Sequence, residues 1–195
     1  MDYTKQISDY IELEIATLKK LDVNKISEAI NILVDAQENE KEIFIFGNGG
    51  SAATASHFQN DFNKGISEYT DKKFRFNCLN DNTPTIMAIA NDIGYEEIFR
   101  FQLRNKVKKG DVVVGISGSG NSANVINAVE YAKEMGATII GLTGYSGGKL
   151  KELSDVNLHV DINSMQVTED IHMVFDHMIM SILYKTLCGK DHLSK

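Results

Sequence analysis

Proline is nearly absent from this chain, with Pro84 the single one in 195 residues, and tryptophan is missing altogether. With no Gly/Ser/Pro-rich linker and no low-complexity block to divide it, the chain is expected to form one domain, long enough to bury a continuous core. Cysteine is limited to Cys78 and Cys188, neither in a C-x-x-C pair. That scarcity fits reduced thiols in a cytoplasm and reads as two buried small hydrophobes. No apolar run approaches the roughly 20 residues needed to cross a bilayer, so no membrane span is expected. The start, Met1-Asp2-Tyr3-Thr4-Lys5, carries no basic leader ahead of an apolar stretch, and a cytoplasmic protein is the expectation. Positive charge is also in deficit: 20 Lys and Arg stand against 27 Asp and Glu, a net charge of −7. Without a basic run a nucleic-acid surface is not expected, and any phosphate has to be held locally, by loops.

Two such loops are present. Gly47-Asn48-Gly49-Gly50-Ser51-Ala52 and Ser117-Gly118-Ser119-Gly120-Asn121-Ser122 each follow an apolar β-like run and each open a helix-like stretch. Glycines let backbone N–H groups turn toward a ligand, serines add hydroxyl donors, and the helix N-terminus carries partial positive charge. A single loop of this kind is an ordinary strand-to-helix turn; two of them point to a phosphorylated small molecule held between them. The first also satisfies G-x-G-x-x-A, the dinucleotide fingerprint. That fingerprint wants an acidic residue at the end of the next strand, about 20 residues on, and here the strand ends Asn77-Cys78-Leu79-Asn80. A nicotinamide enzyme is thereby disfavoured.

Apolar periodicity gives the architecture. Ile7, Tyr10, Ile11, Ile15 and Leu18, then Ile26, Ile30, Leu33 and Val34, recur at helical spacing and predict two amphipathic helices. From Glu42 onward strands and helices alternate. The strands are expected at Ile43–Phe46, Phe74–Leu79, Val112–Ile116, Thr138–Leu142 and Val156–Val160. Helices are expected at Ser51–Lys64, Thr83–Asn91, Ser122–Met135, Leu150–Leu153 and Met165–Leu187. Continuous apolar runs such as Val112-Val113-Val114-Gly115-Ile116 suit strands covered on both faces. Five strands alternating with helices predict an α/β fold, a doubly wound five-stranded parallel sheet flanked by helices. Ligands in such sheets bind beyond the strands' carboxyl ends, where both loops fall.

Two polar sets complete the candidate site. His57 and Asp61 are four apart in the helix opened by the first loop, so they share a face. They suit a divalent ion, acid–base work, or a plain surface hydrogen bond. Glu169, Asp170, His172, Asp176 and His177 interrupt the apolar terminal helix, and burying such groups without partners is costly. Glu169 and His177 are separated by about 12 Å of helix rise, so they meet at one ion only by reaching toward each other or by coming from different subunits. His159 and His192 carry no comparable signal.

These features together resemble the sugar isomerase (SIS) domain family, and within it the phosphoheptose isomerases. The likeness covers nearly the whole chain: two leading helices, Gly47 to Ser51, His57, Ala90-Asn91-Asp92, Ile116 to Ser122, Leu142-Thr143-Gly144, and Ile171-His172 with His177. It implies a flavodoxin-like SIS domain over residues 1–195, with residues 1–40 as a helical pair used in oligomer packing, 41–164 as the core and 165–195 as the last helix and tail. It implies a homotetramer that interconverts sedoheptulose 7-phosphate and a manno-heptose 7-phosphate through an enediol(ate), with zinc at a site made by neighbouring subunits. By position, Asn48, Gly49, Gly50, Ser51, Asp61, Asn91, Asp92, Ser117, Gly118, Ser119, Ser122 and Glu169 would hold substrate. His57, Asp61, Glu169 and His177 would hold the metal, and Asp61, Glu169 and His177 would move protons, a carboxylate as base and His177 as acid. Asp61 stands where the family usually has glutamate, and Glu169 where it usually has glutamine; Gln166 lies three residues before Glu169. Some relatives on this fold only sense phosphosugars or contact the replication initiator. The two histidines kept here favour the enzyme.

Overall fold

The computed structural model describes residues 1–104 and 106–189; His192 lies outside them. Two helices lead, α1 (Thr4–Leu18) and α2 (Val23–Glu38), the second started by Asp22, whose carboxylate accepts from the Asn24 and Lys25 amides. Strands β1 (Ile43–Gly47), β2 (Phe76–Cys78), β3 (Val112–Ser117), β4 (Thr138–Thr143) and β5 (Val156–His159) follow. Between and after them come α3 (Gly50–Asn60), α4 (Thr83–Asp92), α5 (Arg100–Leu103), α6 (Ala123–Glu134), α7 (Gly148–Leu153) and α8 (Met165–Cys188). All strand pairs are parallel, in the order β2-β1-β3-β4-β5.

The apolar runs explain why the sheet is covered on both sides. In β1, Ile43 and Ile45 enter one core with residues of α2, α3 and α8, whereas Phe44 and Phe46 enter the other with residues of α5, α6 and α7. A strand with only one apolar face could not serve both layers. The strand order reverses direction between β1 and β3, so the chain leaves this neighbouring pair toward opposite faces and opens a crevice at their carboxyl ends. The two Gly/Ser loops flank it.

Two expected elements differ in extent. The strand expected from Phe74 is shorter because the Phe74 amide donates to Ser67 Oγ at 2.8 Å instead of to a neighbouring strand. The helix expected through Lys64 is α-helical only to Asn60 and continues as a π-helical turn over Asp61–Ile66. That wider turn keeps Phe62 and Ile66 fully in the core while Asp61 stays beside His57. Asn63 holds it in place, donating to the Phe76 carbonyl at 2.8 Å and accepting from the Phe76 amide at 2.9 Å.

Candidate active site

The crevice begins as a small cavity of about 140 Å³ lined by Asn48 and Ser51 of the first loop, Ser117, Ser119 and Ser122 of the second, and Glu169 of α8. Neither α3, which follows Gly49, nor α6, which follows Ser122, has a side-chain N-cap; the Ala52 amide turns to the Gly49 carbonyl and the Val125 amide to Asn124 Oδ1, which leaves the Gly50, Ser51, Ala123 and Asn124 amides for an anion. Gly120 shapes the second loop: its φ is +69°, and a Cβ there would lie 1.8 Å from the Gly147 carbonyl oxygen. Only glycine fits.

The loops are tied to one another by amides. Asn48 Nδ2 donates to Asn124 Oδ1 at 2.9 Å, and Asn124 Nδ2 donates back to Asn48 Oδ1 at 2.9 Å. Tyr95 Oη donates to that same Asn48 oxygen at 3.0 Å. From the other side Asn80 brackets Gly47, accepting from its amide at 3.2 Å and donating to its carbonyl at 2.9 Å. Asn124, Asn80 and Tyr95 were not singled out in the sequence, where a lone asparagine or tyrosine carries no pattern. Asn124 is 2% exposed, so Asn124→Ala would leave the Asn48 amide without its buried partner. A loss of about 1–3 kcal/mol is expected in urea unfolding; an unchanged midpoint would show that the pair contributes nothing. Asn91 and Asp92 lie exposed at the end of α4, bonded to each other and outside the cavity lining.

The two loops are not equivalent. A Cβ on Gly50 would lie 2.4 Å from Glu169 Oε2, so glycine lets the carboxylate settle onto the first turn of α3, the end of a helix that attracts negative charge. Gln166 is exposed and lines none of this cavity; Glu169 is the residue at the site.

Seven residues further along both helices, α3 and α8 meet again. His57 Nε2 faces His177 Nε2 at 3.1 Å, lies 3.4 Å from Asp61 Oδ2 and 3.9 Å from Asp176 Oδ2, and His177 Nε2 lies 4.0 Å from Asp61 Oδ2. One ligand atom from each of these four residues falls within 4.8 Å of all the others. Tetrahedral zinc with bonds of about 2.0–2.1 Å needs ligand atoms about 3.4 Å apart, and the observed separations bracket that value. Both Asp176 oxygens are buried without a hydrogen-bond partner. Burial pushes this carboxyl up to about 8, and the charge of Asp61 adds to the shift. An orphaned carboxylate beside a second carboxylate and two convergent imidazoles is a set that suits a divalent cation.

Three of the four residues expected at a metal converge in this cluster. His57, Asp61 and His177 come together, and they do so within one chain. Asp176 completes the cluster, while Glu169 lies about 10 Å back along α8, by helix rise. The Asp176 signal was in the sequence, as a carboxylate inside an apolar helix face, but its convergence with α3 depends on how the two helices pair. His172 is buried as expected and belongs to neither cluster: neither ring nitrogen has a hydrogen-bond partner.

Comparison with known proteins agrees with this geometry. The SIS domain family matches residues 2–144. A phosphoheptose isomerase of Aliarcobacter butzleri (strain RM4018) is 40% identical over 158 residues, 81% of this chain and 83% of that protein. One from Helicobacter hepaticus (strain ATCC 51449 / 3B1) is 38% identical over 166 residues, 85% of this chain and 84% of the relative. Among solved structures, the phosphoheptose isomerase GmhA from Neisseria gonorrhoeae superposes with a TM-score of 0.86 at 31% identity, covering 95% of this chain and 100% of the other. On fold, sequence and the two loops together, the chain belongs to the SIS domain family, among the phosphoheptose isomerases.

Proposed function

We propose that this protein is an aldose–ketose isomerase that converts sedoheptulose 7-phosphate to D-glycero-D-manno-heptose 7-phosphate in the biosynthesis of activated heptose. The observation that carries the reading is the pairing, along α3 and α8, of an anion-binding cavity at one end with a His57–Asp61–Asp176–His177 cluster two helical turns away. That layout suits a sugar whose phosphate is remote from its carbonyl. With the Glu169 carboxylate already on the first turn of α3, the phosphate falls to Ser117, Ser119 and Ser122, where hydroxyls and the α6 amides supply donors. Binding energy at that remote end orients the reacting carbons.

Isomerisation needs a base for the proton on the carbon beside the carbonyl, and an acid for the oxygen. The carboxylates considered for the base are Asp61, beside His57 and His177, and Glu169, in the cavity lining. His177 can ligate through Nε2 and keep Nδ1–H as its proton donor. A divalent ion, zinc in this reading, would be held at the His57 cluster and would polarise the carbonyl and hydroxyl oxygens.

Purified protein incubated with sedoheptulose 7-phosphate, with and without chelator, and followed by NMR tests this directly. Aldose formation that chelator abolishes is the expected result. Binding without conversion would instead make the protein a phosphosugar sensor.

The assembly is inferred to be a homotetramer in the cytoplasm. On α1, Ile7, Ile11 and Ile15 remain 39–58% exposed, an apolar stripe that suits packing between copies. Tyr10 on the same helix bonds Asp170 of α8, which anchors α1 next to the helix that carries the site. Light scattering at micromolar concentration should give four chains per particle; a monomer would remove the shared packing. Among the described residues no helix is long and apolar enough to cross a membrane.

A further inference from the structure

We propose that Asp176 takes the ligand position at the ion that the family likeness gives to Glu169. This assignment does not depend on the isomerase reading above.

Asp176 has no other use in the fold. Its side chain is fully buried, both oxygens lack partners, and Oδ2 lies 3.9 Å from His57 Nε2. A carboxylate in such a place is costly unless it is paired or coordinates a metal. The groups that face it are His57, Asp61 and His177. Two carboxylates and two neutral imidazoles carry a charge of −2 against the +2 of a divalent ion, and all four come from one chain. Adding Glu169 as a further ligand would need it to leave Gly50 and cross about two turns of helix.

Glu169 stays at the other end of the crevice, lining the cavity with the serines of the second loop and resting against Gly50.

The assignment is tested without substrate. Chelator-stripped protein is titrated with zinc against a chromophoric chelator. Wild type should take about one ion per chain, Asp176→Asn should weaken binding about tenfold or more, and Glu169→Gln should stay within about twofold of wild type, as expected of a residue that is not a ligand. Asp176→Ile serves as the folding control. Removing an orphaned buried carboxylate should raise the melting temperature of ion-free protein and abolish the rise that zinc gives wild type. Zinc affinity lost in Glu169→Gln but kept in Asp176→Asn overturns the ligand assignment, and so does an ion-free Asp176→Ile that melts below wild type. Wild type inert toward sedoheptulose 7-phosphate would sink the isomerase reading and leave the ligand assignment standing.

Discussion

His57→Ala and His177→Ala are each expected to lose the bound ion and the isomerase activity together, with kcat/KM falling by about 10³-fold or more. The two Nε2 atoms face each other at 3.1 Å from different helices, so neither imidazole can be replaced by movement of the other. Removing one leaves Asp61 and Asp176 as adjacent carboxylates with a single nitrogen between them. Elemental analysis reads the ion and NMR with sedoheptulose 7-phosphate reads turnover. Full activity in protein that contains no metal would refute the ion's part and leave Asp61, Glu169 and His177 as the acid–base candidates.

The second large effect is one of acidity. His172 is 1% exposed, and burial drives its imidazole down to about 4; the Thr143 backbone opposes the shift, and His159 adds a smaller repulsion. Unfolded, this ring titrates near its ordinary value of about 6.5. Below that pH the unfolded chain takes up a proton that the folded chain refuses, so stability falls as pH drops, by up to about 1.4 kcal/mol per pH unit until the folded ring titrates near 4. Asp176 acts in the opposite sense. Its carboxyl, raised to about 8 when folded, holds a proton that the unfolded chain releases, so between about pH 8 and pH 4 it adds stability as the solution becomes more acidic. The wild-type curve of ion-free protein therefore conceals both slopes, and the informative quantity is the difference between wild type and His172→Leu. From pH 7 to pH 4 the variant should gain about 3 kcal/mol on wild type. A gap that stays constant over this range in urea unfolding would show that His172 is not held neutral by the fold.

Much of this was legible in the sequence. Five apolar runs and the alternation around them specify a parallel sheet, because a run such as Ile43 to Phe46 has to satisfy two cores at once. The serine-bearing loops could be read because glycine, hydroxyl and helix start make a local pattern. His57 and Asp61 were readable for the same reason, being one turn apart. Pairing between helices is not local. Nothing in the spacing of α8 says whether residue 169 or residue 176 will stand opposite His57, and a position carried over from relatives selected the one that lies at Gly50. The π-helical turn after Asn60 was equally hidden, since it follows from Asn63 meeting the backbone of Phe76, a contact made only when β2 has joined the sheet.

The ion cluster draws on residues 57 and 61 in α3 and on residues 176 and 177 in the last helix. During synthesis, then, the strands around β1 and β3 can pair and the serine loops can form while the ion still has only half of its ligands. An ion at this cluster would wait for the final helix to dock. Its uptake would in that sense be a timestamp, recording the moment at which Val167, Ile171, Phe175, Ile179 and Leu183 close the core beside α2 and α3.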